Sequence, residues 1–259
     1  MNNFLLLEEF KVDQLTVRIY PDRNIMGQAV AADVYQKMNE ILTAKETLRM
    51  IFAAAPSQNE FLSALRKYDI SWEDIEAFHM DEYIGIDPSA PQGFGRFLRK
   101  ALFDHHTFKT VDFINPLASD IQLECKRYGN LVNSAPIDIC AMGIGENGHL
   151  AFNDPPVANF NDPLTLKTVE LDLICRQQQV NDGCFFSLDQ VPTHAYTLSI
   201  PTLMACSNLF VTVPGPTKAD AAFRTLNNAI NTDCPSTILR NFNTAILYLD
   251  KDSAALLSY

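Results

Sequence analysis

Apolar residues in this chain recur at two spacings, and the spacings alternate along its length. In residues 24–45, "NIMGQAVAADVYQKMNEILTAK", they return every three or four positions, which predicts a long amphipathic helix with Asn24 as its N-cap. "TLRMIFAAA" follows as a continuous apolar run closed by Pro56 and predicts a buried strand. "SQNEFLSALRKY" returns to helical spacing, with Ser57 and Glu60 placed as a capping box. "IEAFHM" predicts a short strand. "GFGRFLRKALFDHH" predicts a helix whose Arg96, Arg99 and Lys100 form a solvated face. The helix "ASDIQLECKRYGNLVNSA" leads into the strand "IDICAMGIG".

After a long middle loop, "HAYTLSIPTLMAC" turns from strand to short helix near Pro201. "NLFVTVPG" is another buried strand, and "PTKADAAFRTLNNAI" a helix with Pro216 near its start. "NTAILYLD" is the last strand, followed by a short helix in "KDSAALLSY". Apolar strands separated by amphipathic helices call for a sheet covered on both faces. The expectation is an α/β fold: a single three-layer α/β/α domain over residues 1–259 with a mostly parallel central sheet. No repeat or low-complexity linker marks a boundary.

Charge narrows the partners. Twenty basic and 31 acidic residues give a net charge of -11, and no Lys/Arg stripe reverses that locally. Such a surface repels phosphate backbones, so nucleic acid is not expected as a partner. The apolar run near the N-terminus lacks a basic lead-in and is too short to span a bilayer, which argues against a membrane partner and for a cytoplasmic protein. The six cysteines are widely spaced and contain no CxxC pair, as in a reduced protein without a zinc cluster.

Ligands of such folds bind outside the carboxyl ends of the strands. Polar stretches fall at that edge in "AAAPSQNE", "HMDEYIG", "MGIGENGH" and "VPGPTK". Asp81 and Glu82 follow the apolar run, where a carboxylate can cap a turn, and Asp81 in a partly dry pocket is a candidate base. His149, behind closely spaced glycines that include Gly145, is a candidate for proton handling at neutral pH. Ser57 and Lys218, each at a helix start, are candidates for holding phosphate. Neither a Walker loop nor a dinucleotide fingerprint is present, because G-K-[ST] is missing and "GIGENG" lies mid-chain.

Two stretches, "FHMDEYIG" and "MGIGENGHLAFNDPP", resemble the F-x-M-D-E-Y-x-G and G-x-G-x-[DN]-G-H-x-x-F-N-E-P motifs of the glucosamine-6-phosphate deaminase family. That family lies within a wider group that includes 6-phosphogluconolactonases. "VPGPTKADA" resembles its later G-x-x-K-A segment, and the likeness runs from the first long helix to the C-terminus. It implies a NagB/ribose-5-phosphate isomerase-like fold. The implied activity opens an amino-sugar phosphate ring, moves a proton from C2 to C1 and releases the C2 nitrogen as ammonia.

On these positions the resemblance makes Asp81 the proton-abstracting group, His149 the ring-opening group and Asp154 its orienting acid. It puts Asn147 at the family's aspartate-or-asparagine position and Lys218 on the phosphate. The implied chemistry uses proton transfers alone and calls for no metal or cofactor. The resemblance also allows a homo-oligomer.

The departures concentrate at the phosphate end. Asp154 stands where the family usually has glutamate. "AAAPSQNE" replaces the glycine-containing T-G-[SG]-T-P loop, with Ser57 near the threonine position. The family's phosphate-facing arginine has no clear match; Lys167 is a candidate stand-in for a nearby lysine of that pattern, and Arg176 is a candidate further cation. The leading expectation is therefore conversion of glucosamine 6-phosphate to fructose 6-phosphate and ammonia. The alternatives are a lactonase-like hydrolase and a non-catalytic sugar-phosphate-binding regulator.

Overall fold

The computed structural model describes residues 4–181 and 183–258. An antiparallel hairpin of β1 (Glu8–Val12) and β2 (Leu15–Tyr20) opens the chain. It is followed by α1 (Arg23–Ala44), β3 (Leu48–Phe52), α2 (Asn59–Leu65), β4 (Ile75–His79), β5 (Asp81–Tyr83), α3 (Phe94–Ala101), β6 (Thr110–Asp112), α4 (Ile121–Asn133) and β7 (Ile139–Met142). The second half comprises β8 (Leu166–Glu170), α5 (Leu173–Asn181), β9 (His194–Leu198), α6 (Ile200–Met204), β10 (Asn208–Val213), α7 (Ala219–Asn227) and β11 (Ala245–Asp250).

Eight strands form the main sheet in the order β1-β2-β11-β10-β7-β3-β4-β6, parallel everywhere except the β1–β2 pair. This is the mostly parallel sheet expected from the apolar runs. Successive strand residues feed opposite apolar layers, as the two-residue period of a strand requires. Met50, Phe52, Ala141 and Phe210 join the layer packed by α1, α2 and α3. Ile51, Cys140, Met142, Leu209 and Val211 join the layer packed by α4, α6 and α7. β5, β9 and β8 form a smaller antiparallel sheet, which the chain enters from β4 through Met80.

Several local expectations change. The N-cap of α1 is Asp22, not Asn24: its carboxylate accepts the N–H groups of Asn24 and Ile25 at 2.8 and 2.9 Å. No capping box forms at Ser57. A 3-10 turn over Pro56–Gln58 precedes α2, and Glu60 pairs with Arg23 instead. The middle loop contains β8 and α5. The final segment forms turns rather than a helix up to Leu256.

At the amino edge of the sheet, buried Arg49 fans its guanidinium across the C-terminus of α4. It donates to the carbonyls of Leu131, Val132 and Ala135 and to Ser134 Oγ, pairs with Glu76, and lies over the Phe78 ring. These bonds satisfy carbonyls that a helix end leaves without partners.

Helices α1 and α2 cross at Gly27, where a Cβ would lie 2.5 Å from Glu60 Cβ and 2.8 Å from its carbonyl carbon. Neither atom can swing aside. Gly27→Ala is therefore expected to cost about 1–3 kcal/mol, the usual penalty for overpacking, and denaturant unfolding of the two proteins measures it.

Candidate active site

Strands β3, β4, β7 and β10 run in one direction, so their carboxyl ends share one edge. The segments that leave them line a cavity of about 640 Å³: residues 53–57 after β3, Met80 and Asp81 after β4, residues 143–145 after β7, and residues 214–218 after β10. The cavity thus brings together Ser57, Asp81, Gly145, His149 and Lys218. Asn147 and Asp154 stand behind His149.

Hydrogen bonding separates the two adjacent acids. The Glu82 carboxylate accepts the backbone N–H groups of Tyr83, Phe94 and Gly95 at 2.8–3.0 Å, so it caps the start of α3. Burial raises its pKa, and these bonds oppose the rise. Among the described residues, Asp81 has no comparable set of donors. The residue is 7% exposed, and burial, reinforced by the Glu82 charge, holds the pKa of its carboxyl well above the ordinary carboxylate range. Nearby His79 is a core residue. Burial depresses its pKa to about 3, and its Nε2 accepts the Ile114 N–H at 2.9 Å.

The loop after β7 is closed by its own bonds. Gly148 N–H donates to the Gly145 carbonyl, and Gly145 N–H to the His149 carbonyl, each at 3.0 Å. Asn147 Oδ1 accepts the His149 backbone N–H at 3.0 Å, while its Nδ2 donates to Asp154 Oδ1 at 2.8 Å. The His149 ring nitrogen Nδ1 lies 2.9 Å from both Asn147 Oδ1 and Asp154 Oδ1. Both neighbours are acceptors, so Nδ1 carries the proton and the lone pair of the neutral ring falls on Nε2.

Burial acts to raise the Asp154 pKa. The His149 charge and hydrogen bonds from His149, Asn147 and Cys175 more than offset it and leave the pKa lowered. A shortened acid at this position therefore still engages the ring. Ala151, bordering the cavity, holds a left-handed φ of 50°, a strained backbone beside the site.

Gly145 fits this loop for a steric reason: a Cβ there would collide with Nδ1, Cε1 and Nε2 of the His149 ring. Among the described residues, His149, Asp154 and Cys175 place potential metal-ligand atoms within 4.8 Å of one another. Burial, followed by the Asp154 charge, holds the Cys175 thiol far above its ordinary pKa.

Lys167 and Arg176 lie outside the cavity lining. Lys167 Nζ is held by Asp162 at 2.8 Å and the Val157 carbonyl at 3.0 Å. Arg176 Nη2 donates to the carbonyls of Leu188 and Val191 at 2.6 and 2.9 Å. Cations shielded from water need partners close by, and these are engaged in loop structure. Arg23, Gln178 and Gln179 do border the cavity and are absent from the sequence-based set. The helical spacing of "LICRQQQV" could have revealed α5, which carries the two glutamines; Arg23 had no motif to mark it.

Residues 21–248 match the family described as glucosamine-6-phosphate isomerases/6-phosphogluconolactonases. The chain belongs to this family. It is 31% identical over 224 residues to a glucosamine-6-phosphate deaminase of Bacillus thuringiensis, covering 86% of this chain and 84% of that protein. Its fold is similar to that of a monomeric glucosamine-6-phosphate deaminase, with a TM-score of 0.86, 26% identity, and coverage of 93% of this chain and 99% of that one. It also resembles a 6-phosphogluconolactonase from Thermotoga maritima in fold, with a TM-score of 0.76, 16% identity, and coverage of 92% and 100%.

Two outcomes follow from the geometry. Gly145→Ala should expel the imidazole and remove the slowly exchanging His149 Nδ1–H resonance from the NMR spectrum, with the core signals retained. Asp81→Asn should stabilise the protein at neutral pH. A carboxyl whose folded pKa is raised contributes stability fully present below its unfolded value and lost as pH rises through the folded value. Unfolding midpoints of wild type and variant should therefore diverge on going from acid to neutral pH.

Proposed function

We propose that this protein is an enzyme that converts glucosamine 6-phosphate and water into fructose 6-phosphate and ammonia, with residues 1–259 acting as one domain. The observation that carries this reading is the pairing, on one cavity, of a buried carboxyl that lacks backbone donors among the described residues with an imidazole whose Nδ1 faces two acceptors. His149 Nε2 takes the O1 hydroxyl proton of the ring form, and a proton is delivered to O5 as the C1–O5 bond breaks. Asp154 and Asn147 keep Nδ1 protonated, and Asp154 balances the imidazolium charge.

The open aldehyde acidifies the C2 proton. Asp81 removes it and returns a proton to C1, converting the amino aldehyde through an enolamine into a C2 imine. Water adds to that imine, the C2–N bond breaks, and ketose and ammonia leave. Every step moves protons between groups bordering the cavity. Ser57 and Lys218 bind the phosphate, at the end opposite the reacting carbons.

Asp81→Asn should lower ammonia release by a factor of about 10²–10⁴, the range for loss of a positioned general base. Solvent deuterium incorporation at C1 of the ketose should fall in parallel. In the wild-type enzyme, kcat/KM should rise with pH as Asp81 loses its proton, with the acid limb above the ordinary carboxylate range. Ammonia release unaffected by Asp81→Asn would overturn the assignment. Hydrolysis of 6-phosphogluconolactone without ammonia release would replace it with the lactonase reading.

A further inference from the structure

We propose that Arg23 is a second cation for the anionic end of the cavity and determines selection of phosphorylated over unphosphorylated ligands. This deepens the sugar-phosphate reading, on which it rests for the identity of the ligand. Its starting point is the guanidinium itself. Arg23 borders the cavity together with Ser57 and Lys218. Its Nη2 is anchored twice, to Glu60 Oε2 at 2.8 Å and to the Pro56 carbonyl at 3.1 Å. The second anchor belongs to the residue immediately before Ser57, so the guanidinium is fixed against the turn that presents the serine.

The anchors leave donors over. Arg23 Nε is sealed from water and has no acceptor among the described residues. That N–H is closed to a ligand as it stands, but among the described residues no hydrogen bond engages Nη1, the arm left for an entering anion oxygen. A purely structural role accounts for less. The Arg23 side chain is 41% exposed and Glu60 23%, and ion pairs with that much solvent contribute little to stability.

The close α1–α2 crossing at Gly27 sets this arrangement, because it brings Glu60 against the first turns of α1. The surrounding chemistry also calls for a cation here. The turn after β3 has Ala54 and Ala55 in place of a glycine-rich loop, which restricts how closely its backbone can approach an anion. Lys167 and Arg176 are committed to loop carbonyls and to Asp162. In a chain of net charge -11, an anionic ligand needs local positive charge, and Arg23 and Lys218 both border the cavity that would take it.

The test compares wild type, Arg23→Ala and Arg23→Lys by calorimetric titration with inorganic phosphate, with glucosamine 6-phosphate and with unphosphorylated glucosamine. Steady-state ammonia release is measured alongside. Arg23→Ala should weaken phosphate and glucosamine 6-phosphate binding about tenfold or more, the loss expected for a charge-assisted hydrogen bond, and leave glucosamine binding unchanged. KM should rise in step while kcat stays close to wild type, and Arg23→Lys should recover part of the phosphate affinity.

Unchanged phosphate affinity in Arg23→Ala would overturn the proposal. So would equal weakening for glucosamine, which would make Arg23 a staple between helices. Should Arg23→Ala fail to fold, Arg23→Lys and Arg23→Gln decide by the same ratio of phosphorylated to unphosphorylated affinity. Absence of ammonia release from the wild type would sink the deaminase reading and leave the phosphate titration to judge Arg23 independently.

Discussion

Parallel pairing of β7 between β3 and β10 is the constraint from which the site follows. Neighbours that run in the same direction must each be reached by a crossover, so the segments leaving these parallel strands depart from the same edge. Turns rich in small and polar residues are thereby gathered without any affinity for one another. Side chains distant in sequence, such as Asp81 and His149, border one cavity because the backbone ladder leaves their strands no other exit. The small β5-β9-β8 sheet then holds Asp81 itself in a paired strand, where its position is set by main-chain bonds to β9.

Two acids side by side illustrate how local bonding assigns different work to similar groups. Glu82 spends its charge on three backbone donors and secures a helix. Asp81 is buried beside it without such compensation. Nothing in the dipeptide distinguishes them, since both are carboxylates at the end of an apolar strand. The family likeness singled out Asp81, and the bonding around Glu82 supplies a physical reason for the difference.

Legibility in the sequence followed the range of the forces involved. Buried parallel strands such as "LRMIF" and "NLFVTV" were readable because both faces are apolar, and α1 because its spacing persists over six turns' worth of chain, about 3.6 residues each. The β1–β2 hairpin, β8 and α5 were missed: their strands or helix are short, and part of each face is wet. The positions of Ser57, Gly145, His149 and Lys218 on one cavity followed from motif and strand order. Those of Lys167 and Arg176 did not, because a charge in sequence carries no record of the carbonyl or carboxylate that will claim it in the fold. Arg23 was invisible for the converse reason: its place depends on a helix crossing made possible by Gly27.

Arg49 gives the opposite edge of the sheet a different character from the cavity edge. Its five hydrogen bonds use the planar fork of a guanidinium: Nε meets Glu76, and each Nη meets two acceptors at or just past the end of α4. Shape matters there more than the unit of positive charge. A lysine at that position would preserve the charge yet leave several helix-end carbonyls without donors, so chemical similarity is a poor guide to tolerance at this edge. The molecule thus has two ends governed by different rules of substitution: one limited by what a ligand must meet, the other by the geometry of a single side chain.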